Sequence, residues 1–175
     1  MSAPAAVLVG PPGAGKTTVG QLVAGALGLP FRDVDADIEA VAGKPIPEIF
    51  IDDGEEHFRA LERAAVATAL AEHDGVLALG GGAVLDPDTR ELLAGNPVVF
   101  LNVGLSDAVK RVGLGVGRPL LLGNVRSRVK ALLDERLPIY QAVATVQVDT
   151  DGRTPEEVAG DVADAVEKRE AESGE

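Results

Sequence analysis

Residues 10–17 read Gly-Pro-Pro-Gly-Ala-Gly-Lys-Thr, a G-x-x-x-x-G-K-[ST] pattern set between an apolar run and a helix-spaced segment. Glycines in that setting let backbone N–H groups turn inward around phosphate oxygens, and the helix that follows adds the positive end of its dipole. Gly13, Ala14, Gly15 and Thr18 then form the cradle, Lys16 brings a point charge to the β- and γ-phosphates, and the Thr17 hydroxyl is placed to ligate Mg2+. The chemistry indicated is binding of a nucleoside triphosphate with its metal.

A second glycine cluster closes the run VLALGGGAV at residues 76–84. It lacks the Lys-Thr of the first loop and has no Asn or Asp turn signal. Missing side chains at Gly80, Gly81 and Gly82 would let a ligand approach the backbone closely. Two further groups invite chemistry. Asp33 and Asp35 follow a short apolar stretch, with Asp37 a third acid nearby. Between Lys110 and Arg136 seven residues are basic and two acidic, a local charge of +5 in a chain of net charge −12. The first half of that segment, VGLGVGRPLLLGN, is also glycine-rich, which suits a moving clamp for an anionic ligand.

The elements that must position these groups follow from periodicity. AAVLVG (5–10), the run 30–35, VLAL (76–79), PVVFLNV (97–103) and TVQVDT (145–150) read as five strands. Helical spacing covers 16–27, closed by Gly28, and about 54–71, with an interrupted helical region between 35 and 54. Asp86 with Pro87 opens another helix, a further one opens at Ser106, and Thr154-Pro155-Glu156-Glu157 is a capping box opening the last. Strands alternating with helices define an α/β fold with a mostly parallel sheet, in which ligands gather at the C-terminal strand ends. The glycine loops and the Asp33/Asp35 pair all follow strand ends, so they are expected to converge. No internal repeat or linker divides the chain.

Composition narrows the class. There is no cysteine, which removes disulfides, thiolate metal sites and cysteine nucleophiles. His57 and His73 are too few for a histidine metal site and read as surface helix residues. The acidic balance argues against nucleic-acid binding, and no run reads as a membrane span or secretory leader. A cytoplasmic monomer is the expectation. No Asn-Lys-x-Asp segment supports a GTPase, and the VLAL strand ends in Gly80 rather than the acid expected of an ATPase or motor. Small size with two glycine loops favours a small-molecule kinase.

FRDVDADIE (31–39), HFRALE (57–62), LGGGAV (79–84), GRPLL (117–121) and ERLPIYQAVA (135–144) resemble the motifs of the shikimate kinase family, in that family's order. The resemblance implies a single-domain P-loop kinase fold over residues 1–168, with a five-stranded mainly parallel sheet flanked by helices, a mobile lid at about 113–125, and a polar tail at 169–175. It implies phosphoryl transfer from ATP, with Mg2+, to the 3-hydroxyl of shikimate. Arg59 and Arg136 would grip the shikimate carboxylate, a task suited to the planar guanidinium fork. Glu62 would hold Arg59, and Gly80, Gly81 and Gly82 would bring backbone groups to the ring, with the Gly81 N–H on a shikimate oxygen. Asp35 would orient the attacking hydroxyl, with proton acceptance as a second use, and Asp33 would support Mg2+ through water. Arg118 would swing over the phosphates as the lid closes, and Arg111 and Arg153 would flank adenine. The Arg118–Arg136 interval is slightly shorter than is usual for the family. Competing readings are a related kinase for gluconate or a nucleoside monophosphate, and a catalytically silent nucleotide-binding module. The silent module has no reason to keep Lys16, Thr17, Asp33, Asp35 and Arg118 together.

Overall fold

The computed structural model describes residues 3–116 and 122–173, without the side chains of 111–116, 122–125 and 173. Its strands are β1 (Ala6–Val9), β2 (Phe31–Asp33), β3 (Val76–Ala78), β4 (Val98–Asn102) and β5 (Val146–Asp149). They form one sheet in the order β2-β3-β1-β4-β5, and each of the four pairings is parallel. β1, β3 and nearly all of β4 are buried, whereas the edge strands β2 and β5 are only partly covered. Parallel strands covered by helices on both faces need apolar residues throughout, which is why the central strands read as unbroken Ala/Val/Leu runs.

The period of two decides which side each residue serves. Ala6 and Leu8 of β1 face one core with Val99 and Leu101 of β4. Val7 and Val9 face the other with Val98 and Phe100. The first core is closed by α1 (Lys16–Leu27), α6 (Leu105–Val116) and α8 (Pro155–Ser173), with Val158, Val162 and Val166 of α8 buried as one stripe. The second is closed by α2 (Val34–Ala42), α3 (Ile46–Asp53), α4 (Glu55–Glu72) and α5 (Pro87–Leu93). The 22-residue α7 (Leu122–Val143) serves both, Val129 in the first core and Tyr140 in the second.

Helix ends follow the expected caps. Gly28 closes α1 in the left-handed conformation, its N–H reaching Ala24 O and Gly25 O. The Asp86 carboxylate accepts from Asp88 N at 2.8 Å. Thr154 Oγ1 accepts from Glu157 N at 3.1 Å, and Glu157 Oε1 accepts in return from Thr154 N at 3.4 Å.

Two expectations change, and two segments gain detail. The strand expected over 30–35 stops at Asp33, because that residue's carboxylate caps α2 by accepting from Asp35 N at 2.9 Å. Asp35 therefore stands in the first turn of a helix. His73 is not a surface helix residue: it ends α4, is 8 % exposed, and its Nε2 lies 2.9 Å from Val76 O, pinned where the chain turns into β3. The segment after Lys168 continues as helix to Ser173. Residues 113–116 and 122–125 of the expected lid are the end of α6 and the start of α7, which pack against each other. The middle of that interval, with Arg118, lies outside the described residues.

Candidate active site

The loop between β1 and α1 owes its shape to two glycines in particular. Gly15 takes φ 90° at the head of α1, and a Cβ on Gly10 would fall 2.6 Å from the Leu101 carbonyl oxygen. Lys16 folds back across this loop, donating to Gly10 O at 2.8 Å and Pro11 O at 3.0 Å. Burial pulls its pKa down to about 8, with Asp35 and Asp33 pulling it upward and Arg136 adding to the depression. Arg136 on α7 is thus close enough to act on the first loop electrostatically.

Asp33, at the C-terminal end of β2, accepts from Thr17 Oγ1 at 3.0 Å. This contact joins the edge strand to α1 and puts a hydroxyl and a carboxylate side by side. Burial raises the Asp35 pKa above the usual carboxylate range, as does the Asp33 charge. Lys16 and Arg59 oppose the rise, and Glu39 adds to it. Asp37 stands apart from the pair, taken by Arg32 Nε at 2.6 Å.

The three glycines after β3 sit in a crowd. A Cβ on Gly80 would lie 2.8 Å from Asp35 Oδ1 and 3.2 Å from Glu62 Oε2. On Gly81 it would meet the Pro12 ring at 2.8 Å, and on Gly82 the Arg59 Nη2 at 2.6 Å. None of the three has a positive φ, so space rather than backbone conformation demands glycine here. The expectation of open backbone kept bare for a ligand is thereby refined, since the protein's own functional groups already occupy the missing side-chain positions. Arg59, on α4, donates to Glu62 Oε1 at 2.7 Å and lies 5.2 Å from the Phe58 ring centroid. Burial raises the Glu62 pKa, and the Arg59 hydrogen bond and charge hold it back. A buried carboxylate with one fixed partner makes a rigid mount for the guanidinium.

A cavity of about 380 Å3 joins the first loop, the acid pair and the start of the glycine run, with Lys16, Thr17, Thr18, Asp33, Asp35, Gly80 and Gly81 in its wall and Arg59, Gly82 and Arg136 outside it. A smaller cleft of about 190 Å3 continues past Gly13, Ala14 and Gly15 to Thr150, Arg153 and Pro155. Arg153 is held there by Asp149 O at 3.1 Å and Asp161 at 2.8 Å. The Arg111 side chain lies outside the described residues. Another cavity, about 260 Å3, lies between the end of β4 and α7, walled by Pro11, Phe100, Leu133 and Tyr140. It holds none of the expected site residues.

Two contributors escaped the sequence reading. Pro12, inside the first loop, is the neighbour that Gly81 must clear. Tyr140 donates from its hydroxyl to Gly81 O at 2.6 Å. Its position one turn after Arg136 was the available signal, but a tyrosine on an amphipathic helix reads first as core. Among the described residues no group of three or more His, Cys, Asp and Glu could hold a metal, and no helix is long and apolar enough to cross a membrane.

A glycine-bent strand-to-helix loop with a folded-back lysine, set beside half-buried acids and a second glycine run, is the arrangement of a small-molecule phosphotransferase of the P-loop class. The family model for shikimate kinase matches residues 12–167. The shikimate kinase of Salinispora arenicola is 66 % identical over 161 residues, covering 92 % of this chain and 96 % of the relative. That of Streptomyces coelicolor is 58 % identical over 171 residues, covering 98 % and 100 %. The structure of shikimate kinase from Acinetobacter baumannii in complex with shikimate superposes with a TM-score of 0.87 at 34 % identity, covering 97 % of this chain and 95 % of that one. The chain belongs to the shikimate kinase family, and is an ATP-dependent kinase.

Proposed function

We propose that this chain transfers the γ-phosphoryl group of ATP to the 3-hydroxyl of shikimate, giving shikimate 3-phosphate and ADP. One observation carries the reading: Asp35, Glu62-anchored Arg59 and the bare Gly80–Gly82 backbone meet beside the Lys16 loop. An acceptor with one carboxylate and several hydroxyls matches that set, with the carboxylate on Arg59 and Arg136 and the ring oxygens on backbone N–H groups. Asp35 faces the reacting hydroxyl, orients it by accepting its hydrogen bond, and takes its proton as the oxygen–phosphorus bond forms. In a loose transition state, alignment of donor and acceptor matters more than base strength, and a carboxylate fixed at a helix start provides it. Lys16 exchanges the Gly10 and Pro11 carbonyls for phosphate oxygens. Ala14 and Thr18 complete the phosphate cradle, and Arg153 borders the nucleotide's far end.

Thr17 and Asp33 fit Mg2+: the ion is usually held by one or two protein oxygens together with phosphate and water, and these two groups lie 3.0 Å apart. When bound, the ion neutralises phosphate charge. The parts given to Arg111 and Arg118 rest on the resemblance. A cytoplasmic monomer belongs to the same proposal, and light scattering on the purified chain tests its oligomeric half.

The deciding experiment measures ADP release with shikimate, quinate, gluconate, AMP and CMP. Turnover with shikimate well above the others is expected. Turnover with gluconate or a nucleotide and none with shikimate would reject the proposal.

A further inference from the structure

The Tyr140 hydroxyl has no role in the scheme above, yet it touches one of its parts and stands one helical turn from another. It donates to Gly81 O at 2.6 Å. Arg136 stands on the preceding turn of α7, four residues earlier, and its positive charge acts on the same hydroxyl. A carbonyl only accepts, so the phenolic proton goes to Gly81. The ring cannot swing away. It is stacked on Phe100 with centroids 5.0 Å apart, and the residue is 1 % exposed.

A trans peptide is planar, so fixing the Gly81 carbonyl also fixes the Gly82 N–H on its opposite side. No hydrogen bond within the described residues uses the N–H of Gly81 or Gly82. Two donors are therefore left unspent, the second of them beside Arg59, and one hydroxyl governs the tilt of the peptide that carries it.

We propose that Tyr140 is a positioning residue of the acceptor subsite, its hydroxyl holding the Gly81–Gly82 peptide in register with Arg136, which the same helix carries one turn away. This rests on the reading that Arg136 and the glycine loop bind the acceptor. If Tyr140 served packing alone, the ring would matter and the oxygen would not. The Tyr140→Phe variant keeps the ring and its stack on Phe100 and removes only the oxygen.

The experiment is steady-state kinetics of Tyr140→Phe, Arg136→Ala and the double variant, each with a thermal melt. Expected for Tyr140→Phe is a rise of about 5- to 20-fold in the KM for shikimate, the scale of one lost hydrogen bond to a charged or aligned group. The KM for ATP should stay within about twofold. In the Arg136→Ala background the same change should cost markedly less, because the acceptor's carboxylate has already lost the grip that the aligned loop completes. An unchanged shikimate KM, full additivity in the double variant, or parallel rises in both KM values would overturn the proposal. Absence of shikimate turnover in the unmodified chain would instead reject the functional reading beneath it.

Discussion

Replacing Gly82 with alanine should damage acceptor binding and spare nucleotide binding. The added Cβ would lie 2.6 Å from Arg59 Nη2, 2.8 Å from Nη1 and 3.0 Å from Cζ. Relief to ordinary contact requires the guanidinium to retreat by about 0.8 Å. That retreat is resisted by the 2.7 Å bond to Glu62, whose side chain is almost fully buried. Either the pair shifts together or it separates, and in both cases the arginine fork loses alignment with a carboxylate in the subsite. A hydrogen bond to a charged group is worth about 1.5–3 kcal/mol, so the shikimate KM should rise roughly 10- to 150-fold. The assay is coupled ADP release, with each substrate varied at saturation of the other, alongside circular dichroism to show a folded chain. Gly81→Ala is the internal contrast: its Cβ meets the Pro12 ring at 2.8 Å, inside the nucleotide loop, so the ATP KM should rise as well. A folded Gly82→Ala enzyme with an unchanged shikimate KM, or with both KM values raised alike, would refute the reasoning.

Two further outcomes are expected. Lys16, with its pKa lowered to about 8 by burial, is charged below that pH and neutral above it, so kcat/KM for ATP should fall as pH rises through about 8. Bound phosphates favour the charged ammonium, so the alkaline limb of kcat should lie at higher pH. Coincident limbs in the two profiles would remove Lys16 from the phosphate site. Arg136→Ala should raise the shikimate KM by roughly 10-fold or more with the ATP KM nearly unchanged, and a normal shikimate KM would exclude Arg136 from the acceptor subsite.

Much of this molecule could be read from its sequence because the signals were local. An unbroken apolar strand, a phosphate loop and caps such as Asp86 and Thr154 depend on residues within a few positions of one another. Misplaced features came from competition that a local window cannot resolve. β2 is three residues long, so one cap by Asp33 was enough to carry Asp35 into helix. His73 looked solvated because its partner, Val76 O, comes after the chain has turned at Gly75. The meaning of the triple glycine was least accessible. Its neighbours Pro12, Asp35, Arg59 and Glu62 come from three separate elements, and only the folded sheet brings them to one spot. Tyr140 reaches Gly81 across 59 positions of sequence.

Those glycines also bear on how such a protein could change over generations. At Gly25 and Gly160, a new Cβ would meet nothing within 4 Å, and these positions are free to vary. At 80, 81 and 82 any replacement whatever adds the Cβ, and each meets a different obstacle: Asp35 with Glu62, the Pro12 ring, and the Arg59 guanidinium. A single replacement in the loop therefore has to move a neighbour at every position, and no one compensation serves all three. Change toward a new acceptor meets less resistance elsewhere, on side chains whose tips can be altered one at a time, than in this short run of bare backbone.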